Sequence, residues 1–520
     1  MKIPNKSASI LLLLIGFIAS CGDEVNHKIP KAPEEIDLAS SFFYEINLGD
    51  RSDDTFKVRL FVDDLTVDNA IFQFPATTPG TYDIHDIGRF VTRFKAFDEN
   101  HNELSATHTS TNQWVLSDPE NTSIIEFEVK ETFDTPVTEN SIYRMAGTSI
   151  ENDHTLLNNF DVLGYPTGLK ERDFYLSIDF PSSWSVGTSL PKDANGFYYA
   201  TDFDKLVDNP ILLGIITTAT TTVDQTDISV HTYSKNNLIQ SSQILADVQQ
   251  ILDDANAFLN VLPVDRYSFL FHFAEFAPES GALEHSYSSV YTLGEQTYTA
   301  SYGDFLRDIT AHEFFHIVTP LNIHSEIIED FNFAEPTPSQ HLWLYEGVTE
   351  WASHVMQYRN QHRDLNTLLN IFSTKKDEAD DYNQSISLSV MSLTCYGEGG
   401  SEFGNVYRKG ALVAALLDIR LLELSGGTKG LREIILELIE TYGPENAFSE
   451  ENFFGDLAQL TGYPAEITDF INKYIKGTDA LPINEYFNKI GISYIDYVFT
   501  VNPTPTVEQL ELRNKWSVNF

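Results

Sequence analysis

The spacing of apolar residues changes partway along the chain, and that change limits the layers it can build. Between about residues 40 and 216 apolar and polar positions alternate, as in Phe56-Lys57-Val58-Arg59-Leu60-Phe61-Val62 and Ser123-Ile124-Ile125-Glu126-Phe127-Glu128-Val129. A period of two buries one face of a strand and wets the other, so this stretch predicts strands. Thr78-Pro79-Gly80, Pro181-Ser182-Ser183 and Ala194-Asn195-Gly196 punctuate it with turn signals, which favours an antiparallel β domain. Beyond Val223 the character shifts: 228–233 and 266–273 read as strands, whereas 242–259 carries a helical period. Helical patterns dominate from Phe305 to about Ile475, notably over 410–424 and 430–441. The order predicts a multidomain chain: a β domain over 38–220, an α+β domain over 221–350, a helical part over 351–480 and a C-terminal remnant over 481–520.

The first residues carry Lys2 and Lys6, an apolar run from Ile10 to Ile18, and then Ala19-Ser20-Cys21. That run falls well short of the roughly 20 residues a membrane-spanning helix needs, so a signal peptide over 1–20 is expected. Ile18-Ala19-Ser20-Cys21 resembles the lipobox of bacterial lipoproteins. The resemblance implies an acylated Cys21, a tether over 21–37, and an exported protein anchored by lipid at the outer membrane, on its periplasmic or its cell-surface face. With Cys21 used in this way, Cys395 is the one thiol left, so the fold must rest on buried apolar area without an internal disulfide. Thr394 and Tyr396 offer no base to activate Cys395, which reads as a semi-buried spectator. The net charge of −43 repels phosphate backbones and argues against nucleic acid as a partner.

His312-Glu313-Phe314-Phe315-His316 has the pattern HExxH. On a helix, residues four apart lie on one face, so both imidazoles can reach one ion. Glu313 then falls beside the ion, placed to take a proton from a zinc-bound water whose pKa the metal lowers to about 7. A third donor is needed, and Leu342-Trp343-Leu344-Tyr345-Glu346-Gly347-Val348-Thr349-Glu350-Trp351 supplies it on a second helix start. Glu346 completes a His₂Glu site for one Zn²⁺ and leaves a fourth position open. Glu350, one turn on, either accepts a hydrogen bond from a ligand histidine or faces solvent. His285, His324 and His341 have no second donor at helical spacing, and His324 and His341 read as surface or loop histidines.

With these segments joined, the chain resembles the gluzincin metallopeptidases, and specifically the glycyl aminopeptidase family. That resemblance implies a thermolysin-like α+β catalytic domain behind the N-terminal β domain, and peptides as substrates. Gly281-Ala282-Leu283-Glu284-His285, whose Glu284 lies 28 positions before His312, resembles the family segment in which a glutamate grips the substrate's free amine. Gly281 and Ala282 are its substrate-binding neighbours. Val406-Tyr407-Arg408-Lys409-Gly410 resembles the segment whose tyrosine hydroxyl steadies the tetrahedral oxyanion, which implies that role for Tyr407. Family members commonly continue into a PDZ-like domain after a segment like Tyr486-Phe487-Asn488-Lys489-Ile490-Gly491-Ile492, and Phe520 comes too soon after it for a full PDZ domain.

These residues predict a zinc-dependent aminopeptidase. An endopeptidase with the same metal site, in which Glu284 only packs near the cleft, is the nearest alternative. A surface lipoprotein that keeps zinc without catalysis is a third, which intact Glu313 and Tyr407 disfavour.

Overall fold

A computed structural model describes residues 29–275, 280–397 and 399–518. The expected signal peptide, Cys21 and the first part of the tether lie outside the described residues. The expected class is borne out: a β-rich N-terminal domain, an α+β domain and a helical C-terminal part.

The N-terminal domain wraps three sheets around one apolar core. The largest has seven strands, and its centre pairs Ser41–Asn47, Thr55–Phe61, Ile124–Lys130 and Val91–Phe97 antiparallel in that order. One pair departs from the antiparallel expectation, because Ser41–Asn47 runs parallel to Asp173–Asp179. Alternation cannot reveal direction, since parallel and antiparallel partners show the same period along one strand. The inward residues Phe42, Tyr44, Val58, Leu60, Phe127 and Leu176 join a core to which two four-stranded sheets contribute the opposite wall.

The next sheet has five strands in the order Thr217–Val223, Thr226–Ser234, Arg266–Ala274, Ser288–Gly294 and Gly281–His285. The boundary expected at 220/221 therefore falls inside its first strand. Arg266–Ala274 is parallel to both neighbours and buried on both faces, as central parallel strands usually are. Phe269, Phe271 and Phe273 point into the main helical core, while Leu270 meets Leu156 and Leu212 of the N-terminal domain. Gly281–His285 is the edge strand, and its alternation serves both domains. Leu283 enters the N-terminal core, and Ala282 and Glu284 turn to the other side.

Two long helices, Ser241–Leu259 and Ala300–Phe315, pack against this sheet. The second starts where the Thr299 hydroxyl accepts from the Tyr302 amide at 3.3 Å, satisfying one of the orphan donors of the first turn. Thr299→Ala is expected to cost about 1 kcal/mol, seen as a lower urea midpoint with kcat unchanged. Asn405–Leu424 is the longest helix of the C-terminal part and is buried along most of its length. The residues after 481 also belong to the fold: Trp516 from Val507–Ser517 is buried in the main core, and its carbonyl accepts from Arg359 Nε at 2.9 Å. Among the described residues no helix is long and apolar enough to cross a membrane.

Candidate metal centre

The HExxH segment occupies the last turn of Ala300–Phe315, with His316 as its C-terminal cap. Both imidazoles are fixed by what their Nδ1 atoms touch. His316 Nδ1 lies 2.9 Å from the Thr319 carbonyl oxygen, an acceptor only, so Nδ1 carries the proton. His312 Nδ1 lies 2.5 Å from Glu350 Oε2, a carboxylate that likewise accepts. In each ring Nε2 is thereby left as the nitrogen that can reach a metal, and both Nε2 atoms face the same oxygen. Glu346 Oε2 is 3.3 Å from His312 Nε2 and 3.6 Å from His316 Nε2.

Glu346 sits on a π-helical turn, Trp343–Val348, that leads into the helix Thr349–Arg359. Such turns are frequent at functional sites. This one is pressed against Asn405–Leu424 through two glycines: a Cβ on Gly347 would come within 2.7 Å of Gly410 Cα, and one on Gly410 within 2.8 Å of Gly347 Cα. The absence of both side chains lets the Glu346 turn and the Tyr407 helix touch backbone to backbone. Gly347→Ala must push the two apart. We expect a loss of about 1–3 kcal/mol in stability and a lower metal content after dialysis, measured by elemental analysis.

His312, His316 and Glu346 offer donor atoms within 4.8 Å of one another, a set that can hold one metal ion. A second set within the same limit, Glu284, Glu313 and His316, overlaps it. Electrostatics separates the two. Burial pushes the carboxyl of Glu284 up and that of Glu313 up to about 8, which favours their neutral forms. Glu346 is equally buried, yet the imidazoles of His316 and His312 and the Tyr82 hydroxyl outweigh burial and hold its carboxyl below the usual range. The ionised carboxylate is thus the one that faces both Nε2 atoms; against burial, it and Glu350 hold the His312 imidazole well above its usual range, so a metal binding there displaces a proton. This donor chemistry fits a divalent ion of the zinc class.

Glu350 does not face solvent. Besides His312 it accepts from His354 Nε2 at 3.2 Å and from the Lys375 ammonium. Burial opposes its charge, but Lys375, His312 and His354 hold its carboxyl well below the usual range. A fixed anion behind His312 orients the ring and raises its basicity toward a metal.

These residues line one cleft of ≈ 650 Å³, together with Glu284, Ala282 and Tyr407. The Tyr407 ring lies 5.6 Å from the His312 ring, and burial with Glu346 nearby pushes its hydroxyl well above the ordinary tyrosine range, so it remains a donor. Gly281 begins the same edge strand but does not itself line the cleft; a Cβ there would meet Met145, which does, at 2.7 Å. His324 and His341, expected on the surface or in loops, are buried, and so is His285. His341 reaches the Glu450 carbonyl at 2.9 Å, His285 reaches Asp208 at 3.1 Å, and His324 is 5% exposed. Cys395 is buried beside the cleft, and burial pushes its thiol up to about 11, which keeps it unreactive.

The contribution of the N-terminal domain was not legible in the sequence. Gly80, Tyr82, Asp83, Tyr143 and Met145 all line the cleft. Tyr82 donates its hydroxyl to Glu346 Oε1 at 2.8 Å. Thr78-Pro79-Gly80 signalled only a turn, and no residue pattern announces that a turn in one domain will meet a carboxylate in another.

Comparisons with known proteins agree with this arrangement. A family model described as the peptidase M61 N-terminal domain matches residues 43–215, and one described as M61 glycyl aminopeptidase matches residues 305–413. A crystal structure described as an aminopeptidase N family protein from Idiomarina loihiensis has the same fold. Its TM-score is 0.76 at 20% identity, over 87% of this chain and 78% of that one. No curated protein matches the sequence. The two family models together span more than half of the chain, one over the β domain and the other over the HExxH helix, Glu346 and Tyr407, and the chain belongs to the M61 glycyl aminopeptidase family of peptidases.

Proposed function

We propose that the protein is a zinc-dependent aminopeptidase that removes N-terminal residues from peptides. The observation that carries this proposal is the convergence on His316 of two triads. One, with His312 and Glu346, can hold a metal; the other, with Glu313 and Glu284, sets two proton-retaining carboxyls beside it. His312, His316 and Glu346 would hold Zn²⁺, which when bound supplies a water of lowered pKa and polarises a carbonyl.

The remaining chemistry belongs to the chain. A peptide can lie along the free edge of Gly281–His285, where backbone groups are open to pairing by strand addition. A divalent cation held beside Glu313 would favour its ionised form; as carboxylate Glu313 takes a proton from the attacking water as the new C–O bond forms, and gives it to the leaving nitrogen as the C–N bond breaks. Tyr407 donates to the oxyanion that develops between these steps, a contribution typically worth about 3–4 kcal/mol of barrier. Glu284, ionised by the nearby ammonium of the substrate, fixes the amino terminus. Gly80 walls the cleft behind it, since a Cβ there would stand 2.8 Å from Glu284 Oε1. A wall at that end restricts cleavage to the first residues of a chain.

The test is metal analysis combined with hydrolysis of one peptide in free and N-acetylated forms, with a chelator control. The free form should be cut and the blocked form should lose most activity. Equal rates on both would convert the assignment to an endopeptidase, and activity that survives stripping of the metal would overturn it. Glu284→Ala is expected to raise KM for the free peptide and to narrow its advantage over the blocked one, read from kcat/KM on the pair.

We further infer that Cys21 carries a lipid anchor holding the enzyme at the outer membrane, supported by the lipobox-like Ile18-Ala19-Ser20-Cys21. Incorporation of a labelled fatty acid into the wild type and not into Cys21→Ala would test it.

A further inference from the structure

Tyr82 stands 264 positions before Glu346 in the chain, in a different domain, and is hydrogen-bonded to it in the metal centre. The two oxygens of Glu346 have separate partners. Oε2 faces the imidazoles at 3.3 and 3.6 Å, while Oε1 takes the Tyr82 hydroxyl at 2.8 Å.

The loop that delivers Tyr82 is constrained at several points. Tyr82 itself has φ 49, in the left-handed region. For a bulky residue that conformation is strained and persists only where the surroundings enforce it. The surroundings do so here. Thr81 Oγ1 donates to the Thr78 carbonyl at 2.9 Å and lies 3.2 Å from Thr77 Oγ1, which also donates to the Asp83 carbonyl. Gly80, at φ 86 in the left-handed region, passes close to Glu284, whose Oε1 a Cβ there would meet at 2.8 Å. The Tyr82 ring packs on Phe403 at 4.9 Å, and Phe403 in turn meets Tyr407 edge-on at 5.5 Å.

We propose that Tyr82 is a positioning residue of the metal site: by occupying Oε1 it holds Glu346 to binding through Oε2 alone. A carboxylate free to bind through both oxygens would fill the place that water and substrate need. The N-terminal domain is then a working part of the metal centre rather than a frame around it. This rests on the assignment of His312, His316 and Glu346 as the metal donors.

The experiment compares full-length wild type and Tyr82→Phe, which deletes only the hydroxyl. Zinc affinity is measured by competition with a chromophoric chelator. Cobalt(II) is then loaded as a spectroscopic probe of coordination number, and thermal unfolding of the metal-free proteins serves as the folding control. Tyr82→Phe should change zinc affinity by about 10–100-fold. Its cobalt visible bands should lose intensity, as expected when a four-coordinate site gains a ligand. The same pair is repeated in a Glu346→Gln background, where the effect of Tyr82→Phe should vanish because the two act as one unit. That cycle reads the coupling even if Tyr82→Phe shifts the unfolding midpoint. Unchanged zinc affinity and cobalt spectrum in Tyr82→Phe would overturn the proposal. So would a loss of kcat alone, which would make Tyr82 a donor to substrate instead. If wild type bound neither metal, the donor assignment itself would fall, a distinct result that removes the basis for this role.

Discussion

Glu313→Gln is expected to lower kcat for peptide hydrolysis by about 10²–10⁴-fold while the protein keeps its full metal content. Glutamine preserves the shape of the side chain but can neither accept the water's proton nor return it to the leaving nitrogen. The metal donors are other residues, so elemental analysis should find wild-type stoichiometry. The same substitution should change stability in the opposite sense. Burial holds the Glu313 carboxyl up at about 8 in the metal-free fold, against an ordinary 4.5. A carboxyl whose pKa is raised by folding binds more protons folded than unfolded between those values. Its contribution is therefore complete below about 4.5 and is lost as pH rises through about 8. Metal-free wild type should weaken across that window, and Glu313→Gln should flatten the decline and be the more stable of the two at pH 8. A variant with near-normal kcat would sink the general-base role. A variant less stable than wild type at pH 8 would show that Glu313 is ionised at no cost.

Glu346→Ala should abolish metal-dependent stabilisation as well as activity. An ion that binds only the folded state stabilises it by RT ln(1 + [L]/Kd), about 2.7 kcal/mol when its free concentration is a hundred times Kd. Wild type titrated with zinc should therefore unfold at progressively higher temperature. Glu346→Ala should show almost no rise, because two imidazoles remain without the carboxylate that completes the set. Removing the carboxylate also leaves the Tyr82 hydroxyl and two Nε2 atoms without their shared partner. The decisive measurement is calorimetric unfolding with and without zinc for both proteins. An equal zinc-induced rise in the two would place the binding site elsewhere, for which Glu284, Glu313 and His316 are the competing donors.

The division between what was legible and what was not follows the range of the interactions involved. HExxH is local: four residues apart on a helix is a fixed geometry, so two donors and the candidate base could be read directly, and the structure puts all three on one cleft. Glu346 was accessible because it, too, opens a helix, although its π-helical turn depends on Gly347 meeting Gly410 and has no local signature. Helical spacing leaves Glu350 open between two roles, since it states which face a residue occupies and not what stands opposite. His312, His354 and Lys375 decide it. Tyr82 was invisible, being neither a usual metal donor nor near the motif in sequence.

By itself, then, the sequence determined the strand-rich and helix-rich halves, the helical pair of imidazoles with its adjacent glutamate, and the acidic, disulfide-poor character of the chain. Those properties depend on backbone periods and side-chain chemistry that act within a few residues. Tertiary structure alone decided the parallel pairing of Ser41–Asn47 with Asp173–Asp179, the enclosure of the cleft by the N-terminal domain, and the partner of each Glu346 oxygen. These are contacts between segments far apart in the chain. They exist only once burial of the cores has brought two domains together, and nothing in the local pattern of either segment encodes the other.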